Sequence, residues 1–314
     1  MLTLTLTHSL SFYADDEKYQ QTEHRGSETW VEDASRSWDR KGMYRTTEIQ
    51  HVLMPFSGRS QSFSTSHQIN FAGGEPFLND IMLGELCKYS HELGMAVSII
   101  SNGSLIRPYW MTLYGEFVDV LGVSVDSFDP QTNAAIGRGG DANNQHAERV
   151  LRVRALCAEH DIIFKMNTVV CSLNWQEDMA DHVRKLDPKR WKVFQVLLLK
   201  DENSGGPGEL RDARPLVISN DQFWSFVNRH RGKGVDDVLI PEPNDVMQNS
   251  YLLLDEELRF LDCSNGGKTP SKSILEVGVE AALMQAGFDD DAFMKRGGVY
   301  EWSRARTTSS TSAK

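Results

Sequence analysis

Between residues 68 and 199 short apolar runs alternate with stretches of helical spacing. Residues 69–72, 97–101, 118–125, 162–170 and 191–199 read as strands. Residues 78–93, 107–117, 145–160 and 175–186 read as helices; in the third, Val150, Val153, Leu156 and Cys157 fall on one face. Strands joined through helices imply a parallel sheet, because a parallel pair needs a long crossover. Residues 201–208 (DENSGGPG) form a loop by composition. Beyond them, 221–229 and 272–286 are predicted helical, and 251–255 with 258–263 could pair as a hairpin. No internal repeat is present. Residues 1–66 differ: 14–40 are rich in Asp, Glu, Arg, Ser and Gln, and 57–66 in Ser. No strand or helix is predicted there, and disorder is expected.

The composition, 40% hydrophobic and 25% charged over 314 residues, is that of a soluble globular protein. A net charge of -11 argues against broad binding to nucleic acid or anionic membrane, which calls for a basic surface. It leaves room for a small anion in a locally basic pocket. No apolar run approaches the ~20 residues that span a bilayer. Residues 1–12 lack a basic leader, and 1–40 show no apolar face with a basic flank, so a cytosolic protein without membrane association is expected. Cys87, Cys157, Cys171 and Cys263 are scattered with no CxxC spacing, as buried apolar cysteines would be.

Phe71-Ala72-Gly73-Gly74-Glu75-Pro76 carries the most chemistry. Two glycines after a strand let backbone approach a ligand closely, and Glu75 adds a carboxylate suited to an amine. The plain alternative is a tight turn with no ligand. Lys165 and Asn167 alternate on one predicted strand, as do Arg190 and Lys192 on the next, so each pair shares a face. Converging cations suit a polyphosphate; the plain alternative is strand-end side chains reaching water. Trp191 and Trp302 read as packing residues.

The wording around these positions resembles the viperin family of radical S-adenosylmethionine (SAM) proteins. The likeness runs in order through Asn70-Phe71-Ala72-Gly73-Gly74-Glu75-Pro76, Ser101-Asn102-Gly103-Ser104, Asp126-Ser127-Phe128-Asp129 and Ile136-Gly137-Arg138-Gly139. It continues through Arg190-Trp191-Lys192-Val193, Ser250-Tyr251-Leu252, Pro270-Ser271-Lys272-Ser273 and Lys295-Arg296-Gly297-Gly298. The resemblance implies a partial (βα)6 barrel, an α/β fold here lacking a regular first strand, with a C-terminal α/β extension. Its expected divisions are a poorly ordered or aberrant segment over 1–66, a barrel core over 67–200, an extension closing the nucleotide site over 201–303 and a disordered tail over 304–314.

The resemblance also implies SAM as cofactor with a 4Fe-4S cluster, and dehydration of CTP to 3′-deoxy-3′,4′-didehydro-CTP in antiviral defence. It places SAM on Gly73, Gly74, Glu75, Pro76, Ser124 and Arg138. It places the nucleotide on Asn70, Lys165, Asn167, Arg190, Lys192, Tyr251 and Arg296.

Two departures matter. The family carries CxxxCxxC some way before its GGEP segment, and three thiolates hold three irons while the fourth stays open. Residues 31–45, VEDASRSWDRKGMYR, contain no cysteine, so no metal ligand and no catalytic residue is identified and catalysis is expected to be impaired. Gln68 stands where many relatives have lysine. Three explanations stand open: a mistaken gene model over 1–66, a paralogue that binds without catalysis, or a cluster supplied by another chain.

Overall fold

A computed structural model describes residues 3–6, 68–138, 145–200, 202–207, 209, 212–247 and 250–295. Ten strands form one sheet: β1 Thr3–Leu6, β2 Gln68–Phe71, β3 Ala96–Ser101, β4 Val120–Ser124, β5 Ile163–Val170, β6 Arg190–Gln195, β7 Leu239–Glu242, β8 Leu252–Leu254, β9 Arg259–Asp262 and β10 Thr269–Ser273. Their order is β10-β9-β8-β1-β2-β3-β4-β5-β6-β7. From β8 to β7 every pairing is parallel; β9 and β10 add antiparallel at one edge. No pairing among the described residues joins β7 back to β10, so the barrel is open.

Helices α1 Asp80–Glu92, α2 Pro108–Tyr114, α3 Pro130–Ile136, α4 Gln145–Glu159, α5 Ala180–Leu186 and α6 Asn220–His230 follow the strands. Alternation along each strand decides what lies on either side. Val97, Ile99, Leu121, Val123, Phe164, Met166, Trp191 and Val193 are fully buried in the core shared with the helices. Their partners in that core include Leu83 and Leu86 of α1, Val150 and Val153 of α4, and Phe223 and Phe226 of α6. The opposite face is different. Ala96 and Val120, with Ile163 against them, form a separate small apolar cluster. Parallel strands are ordinarily apolar on both faces. Here the second face carries Gln68, Asn70, Ser98, Ser124, Lys165, Asn167, Arg190 and Lys192, a polar and basic set.

The five strands and the hairpin pairing of β8 with β9 match the sequence expectation; other elements differ. A regular first strand, expected to be missing, is present at Thr3–Leu6 and lies between β2 and β8. The helix expected at 175–186 starts at Ala180, because the Asn174 side chain accepts from Cys171 N at 2.7 Å and donates to Asp126 O at 2.7 Å, fixing a turn. The helix expected at 272–286 is instead strand β10 followed by two short helices, Ile274–Val277 and Val279–Leu283, separated at Gly278 with φ 81°. Strand β7 and helix α3 were not expected. No helix among the described residues is long and apolar enough to cross a membrane.

Candidate functional site

The loop after β2 turns on Gly73 (φ 94°) and Gly74 (φ 53°), conformations a side chain would strain. Gly74 is exposed, and Glu75 is only 7% exposed. The Glu75 carboxylate points inward. Ser101 Oγ donates to its Oε1 at 2.7 Å, Asn102 N donates to its Oε2 at 2.8 Å, and Phe77 N donates to Oε1 at 3.3 Å. This side chain therefore ties the loop after β2 to the loop after β3. Burial pushes the carboxyl up from its ordinary value, against the hydrogen bonds from Asn102 and Ser101, which favour the anion.

Ser124 ends β4 and sits opposite Asn167 of β5. Two residues on, buried Asp126 receives Arg138 Nε on Oδ2 and Val169 N on Oδ1 at 2.8 Å. Gly137, with φ 86°, caps α3 and turns the chain so that Arg138 N reaches Asn133 O at 2.8 Å. His146, at the start of α4, is 8% exposed, and neither ring nitrogen has a hydrogen-bond partner. Burial lowers its pKa to about 4, with Arg149 and Arg138 adding to the shift.

The barrel interior brings together most of the predicted nucleotide residues. Lys165 is in register with Arg190, and Asn167 with Lys192. Lys165, Arg190 and Lys192 are 6%, 8% and 5% exposed. Burial this deep is costly for a charge without compensation, so the plain reading of solvated strand ends does not hold. Gly122 lies between Ile100 and Lys165 in the same row; a Cβ there would stand 2.5 Å from Ile100 Cδ1, so the glycine makes room for the Ile100 side chain. Asn167 Oδ1 is buried with no hydrogen-bond partner among the described residues. Asn70 faces the same interior from β2, in register with Ser98.

Lys192 forms an ion pair with Glu242, a residue only 1% exposed at the end of β7. Tyr251 O–H donates to the other Glu242 oxygen, and Lys192 Nζ reaches Tyr251 Oη at 3.4 Å. Glu242 was not singled out from the sequence. It ends a four-residue run holding Pro241, and only a strand assignment there could have flagged it. Asp126 stood in a quoted motif without a role. Arg296 lies outside the described residues.

The residues present do not fit an iron–sulfur cluster. Among the described residues no group of three His, Cys, Asp or Glu side chains could hold a metal ion. Cys87, Cys157 and Cys171 are buried and unpaired, and Cys263 is half-buried. Residues 31–45 lie outside the described residues and contain no cysteine. The residues do fit SAM in part: a doubly positive-φ glycine turn at the strand ends stands near an arginine held by Asp126.

No family model matches the chain. Among curated proteins it is 48% identical over 242 residues to the S-adenosylmethionine-dependent nucleotide dehydratase RSAD2 of Oncorhynchus mykiss, covering 76% of this chain and 68% of that protein. It is 36% identical over 237 residues to the S-adenosylmethionine-dependent nucleotide dehydratase of Flammeovirga pacifica, covering 75% of this chain and 78% of the other. Among solved structures, native anSMEcpe with bound AdoMet matches with a TM-score of 0.54 at 14% identity, over 84% of this chain and 74% of that one. Streptococcus suis SuiB bound to S-adenosylmethionine matches with a TM-score of 0.56 at 13% identity, over 98% of this chain and 69% of that one. At that identity the likeness is one of fold: the partial barrel of radical SAM proteins.

Proposed function

Because this chain belongs to the family of S-adenosylmethionine-dependent nucleotide dehydratases, the viperins, we propose that its barrel binds SAM and a nucleoside triphosphate side by side. The family activity, dehydration of a nucleotide, is the reaction the site is built around. SAM lies on the backbone of Gly73 and Gly74, with Ser124 and Arg138 toward its ribose and carboxylate. Glu75 and Pro76 hold that loop in place rather than meeting the cofactor. The triphosphate lies among Lys165, Arg190 and Lys192, with Asn70, Asn167 and Tyr251 lining the cavity and Arg296 closing it. CTP is the nucleotide proposed.

One observation carries this reading: three cations and Asn167 stand in register, buried, on the inner face of two adjacent strands. A compact polyanion is a ligand suited to cations gathered in this way. With no cysteine set for the cluster, the chain as it stands binds both molecules and does not start the radical chemistry. Its four unpaired cysteines go with a reducing, cytosolic setting.

Isothermal titration of the protein with CTP, UTP and SAM tests the binding. CTP should bind, and Lys165→Ala should weaken it by about 1–3 kcal/mol, as removal of a charged hydrogen bond does. Unchanged CTP affinity in that variant would sink the substrate site. Anaerobic reconstitution with iron and sulfide tests the rest: bound cluster near one per chain, with 5′-deoxyadenosine formed from SAM, would show that the chain is an active enzyme.

A further inference from the structure

Glu242 has no place in the sequence motifs, yet it holds two of the proposed nucleotide residues at once. It is the one carboxylate named on an inner face otherwise supplied with cations: Lys165 from β5, Arg190 and Lys192 from β6. It is among the most buried charged groups described, at 1% exposure. One oxygen meets Lys192 Nζ and the other receives the Tyr251 hydroxyl. The Lys192 ammonium also stands 5.7 Å from the centre of the Tyr251 ring and 5.8 Å from that of Phe194.

A carboxylate repels a triphosphate, so its presence in such a cavity calls for a reason. The reason lies in Lys192. An ammonium only 5% exposed is costly to keep charged without a counter-ion. A neutral amine would be a poor phosphate ligand. We propose that Glu242 is a positioning residue that keeps Lys192 protonated and, with Tyr251, fixes the place of its ammonium beside the bound polyphosphate. The inference rests on the nucleotide reading above. It adds the counter-ion that lets a buried lysine serve a polyanion at neutral pH.

The groups facing Lys192 are Asn167 and Lys165 from β5, Arg190 and Phe194 from β6, Glu242 from β7 and Tyr251 beyond it. With Glu242 in place, nucleotide affinity should follow only the titration of the phosphate itself. With Glu242→Gln, the pocket gains a positive increment of charge on paper but loses the proton of Lys192 as pH rises. The ratio of variant to wild-type Kd should therefore climb with pH. A residue that merely packs would shift affinity by the same factor throughout.

The test measures CTP affinity of wild type, Glu242→Gln, Lys192→Met and the double variant from about pH 6 to about pH 9, with melting curves to confirm folding. Glu242→Gln should lie within ~3-fold of wild type at the acid end and fall ~30-fold or more below it at the alkaline end, a range that a displaced lysine titration produces. Lys192→Met should be weak at every pH, and adding Glu242→Gln to it should introduce no new pH dependence. Independently of any nucleotide, the NMR signal of Lys192 Cε should titrate at lower pH in Glu242→Gln than in wild type. A constant Kd ratio with an unmoved Lys192 titration would overturn the inference alone. Absence of CTP binding by wild type would overturn the nucleotide site, while the lysine titration would still decide the role of Glu242 toward Lys192.

Discussion

Glu75 is proposed above to hold its loop in place, and its removal gives the sharpest check on the site. Glu75→Ala deletes the acceptor for three donors: Ser101 Oγ at 2.7 Å, Asn102 N at 2.8 Å and Phe77 N at 3.3 Å. A buried donor left without a partner costs about 1–3 kcal/mol. Ser101 is 2% exposed, and in its contact with Gly103 N its Oγ accepts, so that contact offers its hydroxyl proton no replacement acceptor. Asn102 is half-buried and can recruit water, so its share falls at the low end. Against these losses stands the desolvation of the carboxylate, which raises its pKa and is relieved when the group is deleted. The net expectation is about 2–3 kcal/mol. For a domain of this size that is a fall in Tm of roughly 4–10 °C.

The loops after β2 and β3 should also lose their mutual register, so SAM affinity should fall together with stability. Glu75→Gln keeps an acceptor for Asn102 N and should lose no more than about half as much. The assay is thermal melting followed by SAM titration of the same samples. A Glu75→Ala protein that melts within about 1 °C of wild type yet loses SAM would show the carboxylate to be a ligand, and the positioning argument would fail.

Three further outcomes follow from other parts of the molecule. His146 is held neutral, its pKa lowered to about 4 chiefly by burial. Its contribution is complete above about pH 6.5 and is lost as pH falls toward 4, a difference of about 3 kcal/mol; denaturant unfolding of wild type and His146→Leu should diverge in slope across that window and run parallel above it. Trp191 is fully buried and donates from Nε1 to Thr168 Oγ1 at 2.9 Å. Trp191→Phe should cost about 1–2 kcal/mol in unfolding free energy while leaving CTP affinity unchanged, whereas a stacking platform would lose affinity. Gly122→Leu would drive its side chain into Ile100, whose Cδ1 stands 2.5 Å from where a Cβ would lie, and should cost about 1–3 kcal/mol in unfolding free energy, as overpacking does; denaturant unfolding reads it directly.

The outer faces of the strands were legible because period-two alternation and helical spacing are local signals. Val97, Ile99, Leu121 and Val123 announce themselves as one face of two strands, and the helices that cover them follow at once in sequence. Lys165 with Asn167, and Arg190 with Lys192, were legible as pairs for the same reason. Their mutual register was not, since it is set by the sheet as a whole. Glu242 was hidden because its strand has four residues and contains Pro241, which reads as a break; at the sheet edge a proline is tolerated. Glu75 was recognisable as a motif residue, but its partners lie in another loop, and no spacing rule says whether a carboxylate faces a ligand or a neighbouring backbone. The strand at Thr3–Leu6 was missed because four residues of alternating Thr and Leu carry too little apolar surface to predict a strand without the two neighbours that pair with it.

The cysteines and the cavity lie in different parts of the same fold, and that separation bears on whether another thiol set could replace the missing motif. Cys87 sits on α1 and Cys157 on α4, both wholly buried in the core between helices and sheet. Burial pushes the Cys87 thiol well up and that of Cys157 up to about 12, and it raises Cys171 and Cys263 as well. A metal ligand must be a thiolate, and thiolates form where cations or helix ends lower the pKa. All four environments push the other way. Three buried cations, Lys165, Arg190 and Lys192, stand instead on the inner face of β5 and β6, where no cysteine occurs. What the fold holds, on the reading proposed above, is the electrostatics of polyphosphate recognition. What it lacks among the described residues is the low-pKa sulfur that would turn a bound cofactor into a radical source. These are physically separable, since a cavity can hold its cations and their counter-ion Glu242 without any iron.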